Sequence, residues 1–362
     1  PGDFQVLTAL GSLPTAPFQE WAVLGEIRRR LSYAGIPFIQ DKHGSLIAKI
    51  GRRQPGGSPL VFVAHTDHPA LVLQARERSG WKARAFGDVP LEYLREKRLR
   101  LIRIRADTPT LVGSALVLRS DLKTRTAVLE VPPSARPGDF CQAWPGRFKI
   151  GPKWIQGPAI DDLAGCAAIL TAMEGEKRKE KGFRETWAVF TRAEEVGLVG
   201  ATDLAVRRVI PRNATIISVE MSRALPSAVP GRGCVLRLGD RAGMFDAGVS
   251  DLLVSAARSN SRIPTQPALL SGGTCEATSF KAFGYKAGGL ACPLLGYHNR
   301  DRDGGRAVAE RISRDDFLNL AGLIEALSTT PPGPGKPEDP AARLRELLKR
   351  YRLFLLRTRV NK

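Results

Sequence analysis

The segment Leu60-Val61-Phe62-Val63-Ala64-His65-Thr66-Asp67 joins an uninterrupted apolar run to a histidine and an aspartate. Such a run, rich in valine and phenylalanine, is typical of a strand that is buried on both faces of a sheet. In open α/β sheets, ligands collect beyond the carboxyl ends of the strands, where His65 and Asp67 would lie. A histidine with an acid two residues later suits a metal ligand oriented by a carboxylate, although the motif alone also fits a purely structural pair.

Segments of helical and strand periodicity alternate along most of the chain, which predicts a layered α/β/α domain with a mixed central sheet. The predicted helices are 17–35, 163–173, 198–206, 249–259 and 313–327, and the other predicted strands are 37–40, 45–50, 186–191 and 215–219. Residues 71–154 interrupt this alternation with short alternating runs separated by Gly, Pro and Asp, which predicts a small inserted antiparallel β domain. The α/β domain therefore comprises 1–70 and 155–330, and a Pro/Gly linker with a basic amphipathic helical tail comprises 331–362.

The 362 residues carry a formal charge of +19, which first suggests a nucleic-acid or membrane partner. Most of this excess lies in residues 71–154 and 331–362, so the α/β domain itself is nearly neutral. The five cysteines are widely spaced and contain no C-x-x-C pair, which favours a reducing compartment over a disulfide framework. No apolar run is long enough to span a bilayer and the first residues do not resemble a secretory signal, so we expect a cytoplasmic protein.

Three acidic clusters lie beyond predicted strands or at strand-to-helix junctions. Asp161-Asp162 opens a predicted helix, where a capping role is the simplest interpretation. Glu194-Glu195 follows the strand 186–191, and Glu220 ends the strand 215–219. Adjacent buried carboxylates repel each other and are costly unless they are paired or metal-bound. Their convergence with a histidine on one sheet edge would require cations, and this donor set suits zinc, cobalt or manganese.

Five motifs follow one another along the chain: His65-Thr66-Asp67, Ala159 to Cys166, Ala193 to Ala201, Val219-Glu220 and Tyr297-His298. In this order they resemble the glutamyl aminopeptidase, or tetrahedral (TET) aminopeptidase, family of dinuclear metallopeptidases. The resemblance covers nearly everything from Trp21 to Leu327, and the Glu-Glu-Val-Gly-Leu-Val-Gly-Ala block is its most specific part. Family members also place a small β domain where the 71–154 insertion falls.

The resemblance implies a role for each candidate residue around two divalent metal ions, of which zinc is the first choice. Asp161 would bridge the two ions, with His65 and Glu220 on one of them. The ligands of the other ion would be Glu195 and His298. The resemblance further implies that Glu194 is the general base for the attacking water and that Asp67 orients the His65 imidazole.

Four departures from the family pattern concern the surroundings of this site. His68-Pro69 follows Asp67 where an acid is usual, and Glu220 stands where an aspartate is usual. The loop 274–277 carries an extra residue, and the arginine normally near the final histidine motif is absent. These differences leave the implied ligand set complete, but they change the residues available for substrate recognition.

The sequence therefore predicts a metal-dependent exopeptidase that removes N-terminal residues from peptides and works as a homo-oligomer. One alternative is a related dinuclear-zinc carboxypeptidase or N-acyl amino acid deacylase, in which a similar ligand order occurs. A second alternative, from another class, is an inactive basic scaffold that binds nucleic acid.

The C-terminal tail has an apolar helical face surrounded by basic residues. The apolar residues are Leu344, Leu347, Leu348, Tyr351, Phe354 and Leu355. This face could dock on the protein or on a neighbouring subunit, lie on an anionic membrane, or contact nucleic acid. We favour docking, because a continuous apolar stripe usually marks an interface.

Overall fold

The computed structural model describes residues 4–52, 57–179, 184–301, 303–329 and 340–357. The first elements are α1 (Gln5–Gly11), α2 (Trp21–Tyr33), β1 (Phe38–Gln40), β2 (Leu46–Ile50) and β3 (Leu60–His65). They are followed by β4 (Ala70–Glu77), β5 (Gly80–Phe86), β6 (Arg98–Arg105), β7 (Thr108–Asp121), β8 (Thr126–Glu130) and β9 (Phe140–Gln142), with a short 3-10 helix at Leu91–Tyr93.

The second half of the chain returns to alternating strands and helices. Its first elements are β10 (Lys149–Ile150), β11 (Trp154–Gly157), α3 (Ile160–Lys179), β12 (Thr186–Thr191), α4 (Val199–Val206), β13 (Thr215–Arg223), β14 (Cys234–Asp240), β15 (Gly243–Met244) and α5 (Ala247–Ser259). The last elements are β16 (Thr265–Leu270), α6 (Glu276–Ala282), β17 (Lys286–Leu295), β18 (Arg300–Asp301), β19 (Arg306–Ala307), β20 (Glu310–Ser313), α7 (Arg314–Thr329) and α8 (Pro340–Arg357), with a second 3-10 helix at Tyr297–Asn299.

A mixed sheet forms the centre of the larger unit. Within the described residues it has twelve strands, in the order β1-β2-β12-β3-β13-β17-β20-β11-β10, with β14, β15 and β16 joined through β17. The four strands β12, β3, β13 and β17 run parallel to one another. Their carboxyl ends therefore meet at one edge of the sheet, which is where a ligand site is expected in open α/β folds.

Strand β3 is buried on both faces because helices cover the sheet from both sides. Phe62 and Ala64 pack with α3 and α7 in the larger core. Val61 and Val63 point to the other face, where they pack with residues of α4 and α6. Successive side chains of a strand alternate between faces, so a strand between two helical layers must be apolar throughout. The α/β/α layering predicted from the sequence is confirmed.

A closed barrel in the order β4-β5-β8-β7-β6-β9 forms the smaller unit. Its strands pair antiparallel, and its interior contains Leu71, Leu99, Leu101, Val117 and Leu129. The barrel strands lie between Ala70 and Gln142, whereas β10 and β11 join the large sheet. The inserted antiparallel β unit predicted from the sequence is therefore present.

Several elements differ from the sequence-based expectation. Strand β13 runs on to Arg223, so Glu220 lies within the strand rather than at its end. The structure adds α1, α6, β14, β16 and β17, none of which was predicted. In helix α8 the side chains of Leu344, Leu347 and Leu348 are exposed, and those of Phe354 and Leu355 lie outside the described residues. The predicted Pro/Gly linker also lies outside them.

Among the described helices, none combines the length and the apolar character that crossing a membrane requires.

Candidate metal centre

Six candidate residues lie at the edge where the parallel strands end. They come from five segments of the fold. His65 ends β3, Glu194 and Glu195 follow β12, and Glu220 lies near the end of β13. Asp161 lies at the start of α3, and His298 lies in the 3-10 turn after β17. Their proximity is thus a consequence of strand order, because β12, β3, β13 and β17 are neighbours in the sheet.

Asp161 lies between two pairs of donor groups. One of its carboxylate oxygens is 3.5 Å from His65 Nε2, and the other is 3.9 Å from His298 Nε2. On the first side, Glu220 Oε2 lies 3.8 Å from His65 Nε2. On the second side, Glu195 Oε2 lies 3.2 Å from His298 Nε2. Asp161 therefore lies between two pairs of one imidazole and one carboxylate, His65 with Glu220 and His298 with Glu195.

The cluster is almost completely shielded from solvent, and its ionisation is perturbed accordingly. Burial raises the pKa of Glu194 well above its ordinary value and that of Glu220 to about 7. Burial alone would lower the pKa of His65 and of His298, but the surrounding carboxylates raise both. The cluster holds more carboxylates than imidazoles, and bound cations would stabilise their ionised forms.

Two carboxylate oxygens provide a direct test of whether metal ions fit. Asp161 Oδ1 and Glu195 Oε1 are buried and have no hydrogen-bond partner among the described residues. Leaving such an atom without a partner is costly, and buried polar atoms are almost always satisfied. Carboxylate oxygens with imidazole nitrogens are the donor set of zinc, cobalt and manganese sites. The residues present therefore fit divalent cations.

Asp162 is buried in the same cluster but its oxygens are used within the protein. Oδ2 accepts a hydrogen bond from the His65 main-chain N–H at 3.3 Å, and Oδ1 accepts one from the Gly165 N–H at 3.1 Å. The capping role proposed for the Asp161-Asp162 pair thus falls to Asp162 alone, which also ties helix α3 to the end of β3. The peptide bond between the two aspartates is cis, and neither residue has helical dihedral angles.

Gly165 is required by the close approach of Asp162. A Cβ atom at this position would lie 2.2 Å from Asp162 Oδ1. We expect Gly165→Ala to lower the free energy of unfolding by about 1–3 kcal/mol, because the carboxylate must move and lose its hydrogen bonds. Gly175→Ala is the matched control in the same helix, since its Cβ would meet nothing within 4 Å. Denaturant unfolding would measure both, and equal stability of the two variants would contradict this account.

Asp67 connects the first candidate ligand to the Glu194-Glu195 pair. Its carboxylate accepts hydrogen bonds from the main-chain N–H of Glu194 at 2.9 Å and of Glu195 at 3.1 Å. His65 Nδ1 donates to the Asp67 main-chain carbonyl at 3.2 Å, while the nearest carboxylate oxygen is 3.7 Å away. Because the carbonyl can only accept, Nδ1 carries a proton, which leaves Nε2 as the ring nitrogen available to a metal ion.

Asp67→Asn tests whether this carboxylate positions the glutamate pair. The amide replaces one acceptor with a donor that faces a main-chain N–H, so the loop should shift. We expect a 10–100-fold loss of kcat (an order-of-magnitude figure), with metal content retained, as for other groups that orient metal ligands. The exposed Asp251→Asn serves as control. A normal kcat for Asp67→Asn, measured together with metal content, would exclude the positioning role.

Sequence reasoning missed a buried glutamate that holds the backbone of two candidate ligands. Glu310 accepts hydrogen bonds from the Asp161 N–H at 3.0 Å and from the His298 N–H at 2.8 Å. No motif marked this residue, which begins β20, a strand that was not predicted from the sequence. His68, one of the departures from the family pattern, is fully buried beside it and donates from Nδ1 to the Asp161 carbonyl at 2.7 Å.

The barrel also reaches the second side of the cluster. Asp88 Oδ2 lies 3.6 Å from His298 Nδ1, just beyond hydrogen-bond range. The same carboxylate binds Arg300 at 2.6 Å. His298 and Arg300 together hold the pKa of Asp88 below its usual range. No pattern in the sequence marked Asp88, because the barrel and the His298 turn are far apart along the chain.

A family model described as M42 glutamyl aminopeptidase matches residues 133–320, which is more than half of the chain. The chain belongs to the M42 glutamyl aminopeptidase family. The M42 match includes Asp161, Glu194, Glu195, Glu220 and His298 and begins after His65 and Asp67.

Relatives agree with this M42 assignment. A curated protein of Acetivibrio thermocellus named "Putative aminopeptidase" is 30% identical over 187 residues. That match spans 48% of this chain and 53% of the relative, so the chain aligns with about half of the relative's length.

Solved structures of TET peptidases have a fold similar to that of this chain. The Pyrococcus horikoshii TET1 peptidase, described as able to assemble into a tetrahedron or a large octahedral shell, superposes with a TM-score of 0.75 at 20% identity. It covers 91% of this chain and 99% of its own. A TET aminopeptidase from a marine sediment Thaumarchaeota archaeon superposes with a TM-score of 0.76 at 18% identity, covering 90% of this chain and 96% of its own.

Proposed function

We propose that this protein is a metal-dependent aminopeptidase that removes N-terminal residues from peptides. The observation that carries the proposal is the position of Asp161 between the two imidazole–carboxylate pairs, with Glu194 beside them. Membership of the M42 family supports the same activity. In this proposal His65 and Glu220 hold one divalent ion, Glu195 and His298 hold the other, and Asp161 bridges them.

When bound, the two ions would polarise the scissile carbonyl and make the attacking water more acidic. Zinc is our first choice for both, with cobalt or manganese as alternatives. The remaining chemistry falls to the protein. The Glu194 carboxylate lies 3.9 Å from His65 Nε2, and burial raises its pKa. Asp67 binds the main-chain N–H of Glu194 and not its carboxylate. The Glu194 carboxylate therefore suits a general base that takes a proton from water and gives it to the leaving amine.

Positioning of that base depends on its neighbours. Asp67 holds the main chain of Glu194, and the fully buried Glu20 accepts a hydrogen bond from the Ala193 N–H at 3.1 Å. Glu20 also binds Arg192 at 2.9 Å. The segment before Glu194 is thus fixed by two buried acids, which limits the movement of the carboxylate relative to His65.

A substrate comparison tests the proposed reaction against the alternative of a carboxypeptidase or N-acyl amino acid deacylase. We expect hydrolysis of aminoacyl anilides, whose amino group is free, and none of N-acyl amino acids. Both substrates would be assayed with the same metal-loaded preparation. Hydrolysis of the N-acyl amino acids alone would reject the aminopeptidase in favour of the alternative.

We also propose that the protein works as a homo-oligomer in a reducing compartment such as the cytoplasm. The oligomer is supported by the assemblies described for TET relatives, one of which is described as a dodecamer. The compartment is supported by the five buried cysteines, none of which forms a disulfide. In such an oligomer the exposed apolar residues of helix α8 would dock on a neighbouring subunit. Light scattering would measure the mass, and a monomer at micromolar concentration would reject the oligomer.

A further inference from the structure

A second, larger cavity lies next to the metal centre. Its volume is about 760 Å³, within the range of cavities that hold peptide-sized or drug-sized ligands. Arg223 and Tyr297 line both this cavity and the smaller pocket that contains His65, Asp161 and Glu194. The two spaces therefore adjoin, and a chain held in the metal pocket can continue into the larger cavity.

Arginines dominate the charge of this larger space, which we call the arginine cavity. The arginines that line it are Arg223, Arg300, Arg306 and Arg311, and the acids are Asp301 and Asp303. Arg300 is neutralised by Asp88 at 2.6 Å and by Glu92 at 2.9 Å, and Arg306 binds Asp301 at 3.1 Å.

Two guanidinium groups remain without an acid. Arg223 lies at the end of β13 and Arg311 in β20, and neither forms an ion pair with any residue that the structure describes. Arg311 lies over the Trp154 ring, 5.6 Å from its centroid, which restricts its position. Arginines that face a cavity and lack a protein partner are suited to bind a carboxylate, because the planar guanidinium matches carboxylate geometry.

The two adjoining spaces have opposite charge. The metal pocket is rich in carboxylates and its partner on a peptide would be the cationic amino terminus, whereas the arginine cavity would attract an anion. A peptide that enters amino terminus first would then place its downstream residues in the arginine cavity. Part of the cavity wall is the β18–β19 hairpin, which Arg300 ties to the barrel through Asp88 and Glu92.

We propose that the arginine cavity binds a carboxylate of the substrate on the far side of the scissile bond, through Arg223 and Arg311. The carboxylate could belong to an acidic side chain or to the C-terminus of a short peptide. The inference rests on the proposed aminopeptidase activity and adds to it a preference for substrates that carry a carboxylate downstream of the scissile bond.

Three peptides with the same N-terminal leucine separate the two sources of the carboxylate. The first comparison, of Leu-Glu-Ala amide with Leu-Gln-Ala amide, isolates the effect of a side-chain carboxylate. The second, of Leu-Gln-Ala with a free C-terminus and Leu-Gln-Ala amide, isolates the effect of the C-terminal carboxylate. We expect at least one pair to differ about tenfold in kcat/KM in favour of the carboxylate, mainly through KM, because the contact exists in the ground state. The pair that differs identifies the source.

Arg223→Gln and Arg311→Gln test the residues. The readout in each variant is the kcat/KM of the peptide with the carboxylate divided by the kcat/KM of its counterpart without it. A general loss of folded protein cancels in this ratio. We expect the ratio to fall toward one in both variants and to remain about tenfold in Arg76→Gln, an exposed arginine on the barrel. A ratio near one for both pairs in the unmodified protein, or a ratio unchanged by both substitutions, would overturn the inference.

Leucine anilide, which has no carboxylate, distinguishes this failure from failure of the proposed function. Hydrolysis of the anilide without any carboxylate preference would reject the arginine cavity alone. Failure to hydrolyse the anilide and every peptide would reject the aminopeptidase and, with it, this inference.

Discussion

Replacement of Glu194 by glutamine should lower kcat for aminoacyl anilides by about 10²–10⁴-fold, the usual contribution of a general base. Glutamine has nearly the same shape as glutamate but cannot take a proton. Burial raises the pKa of the Glu194 carboxyl above its ordinary value, and a higher pKa makes the ionised carboxylate a stronger base. The loss should therefore appear in kcat, since glutamine leaves the rest of the pocket in place.

The metal content of the variant distinguishes a base from a ligand. Glu194→Gln should bind as many divalent ions per chain as the unmodified protein, as measured by elemental analysis after dialysis. Glu130→Gln, at an exposed position on the barrel, is the matched control and should leave both kcat and metal content unchanged. Comparable turnover in Glu194→Gln would reject its role as the base, and loss of metal would show that it acts as a ligand.

Asp161→Ala should have the second large effect, because its two oxygens face both donor pairs. The Asp161 carboxylate lies near His65 on one side and near His298 on the other. Its removal therefore leaves each imidazole–carboxylate pair without the third donor group. We expect the variant to retain at most one ion per chain and to lose activity. Loss of a ligand at a buried metal site removes both binding energy and catalytic chemistry.

Thermal unfolding provides an independent readout for Asp161→Ala. A ligand that binds only the folded protein raises its melting temperature, and the increase grows with the logarithm of the ratio of ligand concentration to Kd. Adding Zn²⁺ should therefore raise the melting temperature of the unmodified protein by more than that of Asp161→Ala. Two ions per chain in Asp161→Ala, with an undiminished temperature shift, would contradict the bridging role.

The sequence predicted the parts of the fold that depend on local periodicity. The apolar run from Leu60 to Ala64 predicted a strand buried on both faces, and Phe62 and Val63 do pack against opposite helical layers. The composition change after residue 70 predicted an antiparallel insertion, which is the closed barrel. Both predictions depend on residues that are close together along the chain, where sequence patterns predict structure most reliably.

The sequence could not predict contacts that depend on how distant elements pack. Glu310 and Asp88 approach His298 from a following strand and from the barrel, and neither has a motif that marks this position. Asp67 contacts His65 Nδ1 through its main-chain carbonyl, and its carboxylate also binds the main chain of Glu194 and Glu195, which no motif predicted. The sequence shows which strand carries an acidic residue. The partners to which that residue hydrogen-bonds depend on how the elements pack in three dimensions.

The +19 net charge does not come from the residues around the metal centre. Most of the excess lies in residues 71–154 and 331–362, whereas Arg223 and Arg311 belong to the nearly neutral segment 155–330. The arginine cavity is therefore a local arrangement, in which β13 and β20 bring two arginines beside the pocket of His65 and Asp161. Positive charge beside a carboxylate-rich site is suited to an anionic part of a substrate.

The most direct test of the central claim follows metal content and aminopeptidase activity in one titration. The protein would be stripped with a chelator, and Zn²⁺, Co²⁺ or Mn²⁺ would be added back while aminoacyl anilide hydrolysis is measured. We predict that activity is lost on chelation and returns fully as the content reaches two ions per chain. Activity that survives complete removal of metal, or that fails to return with any of the three ions, would contradict the account.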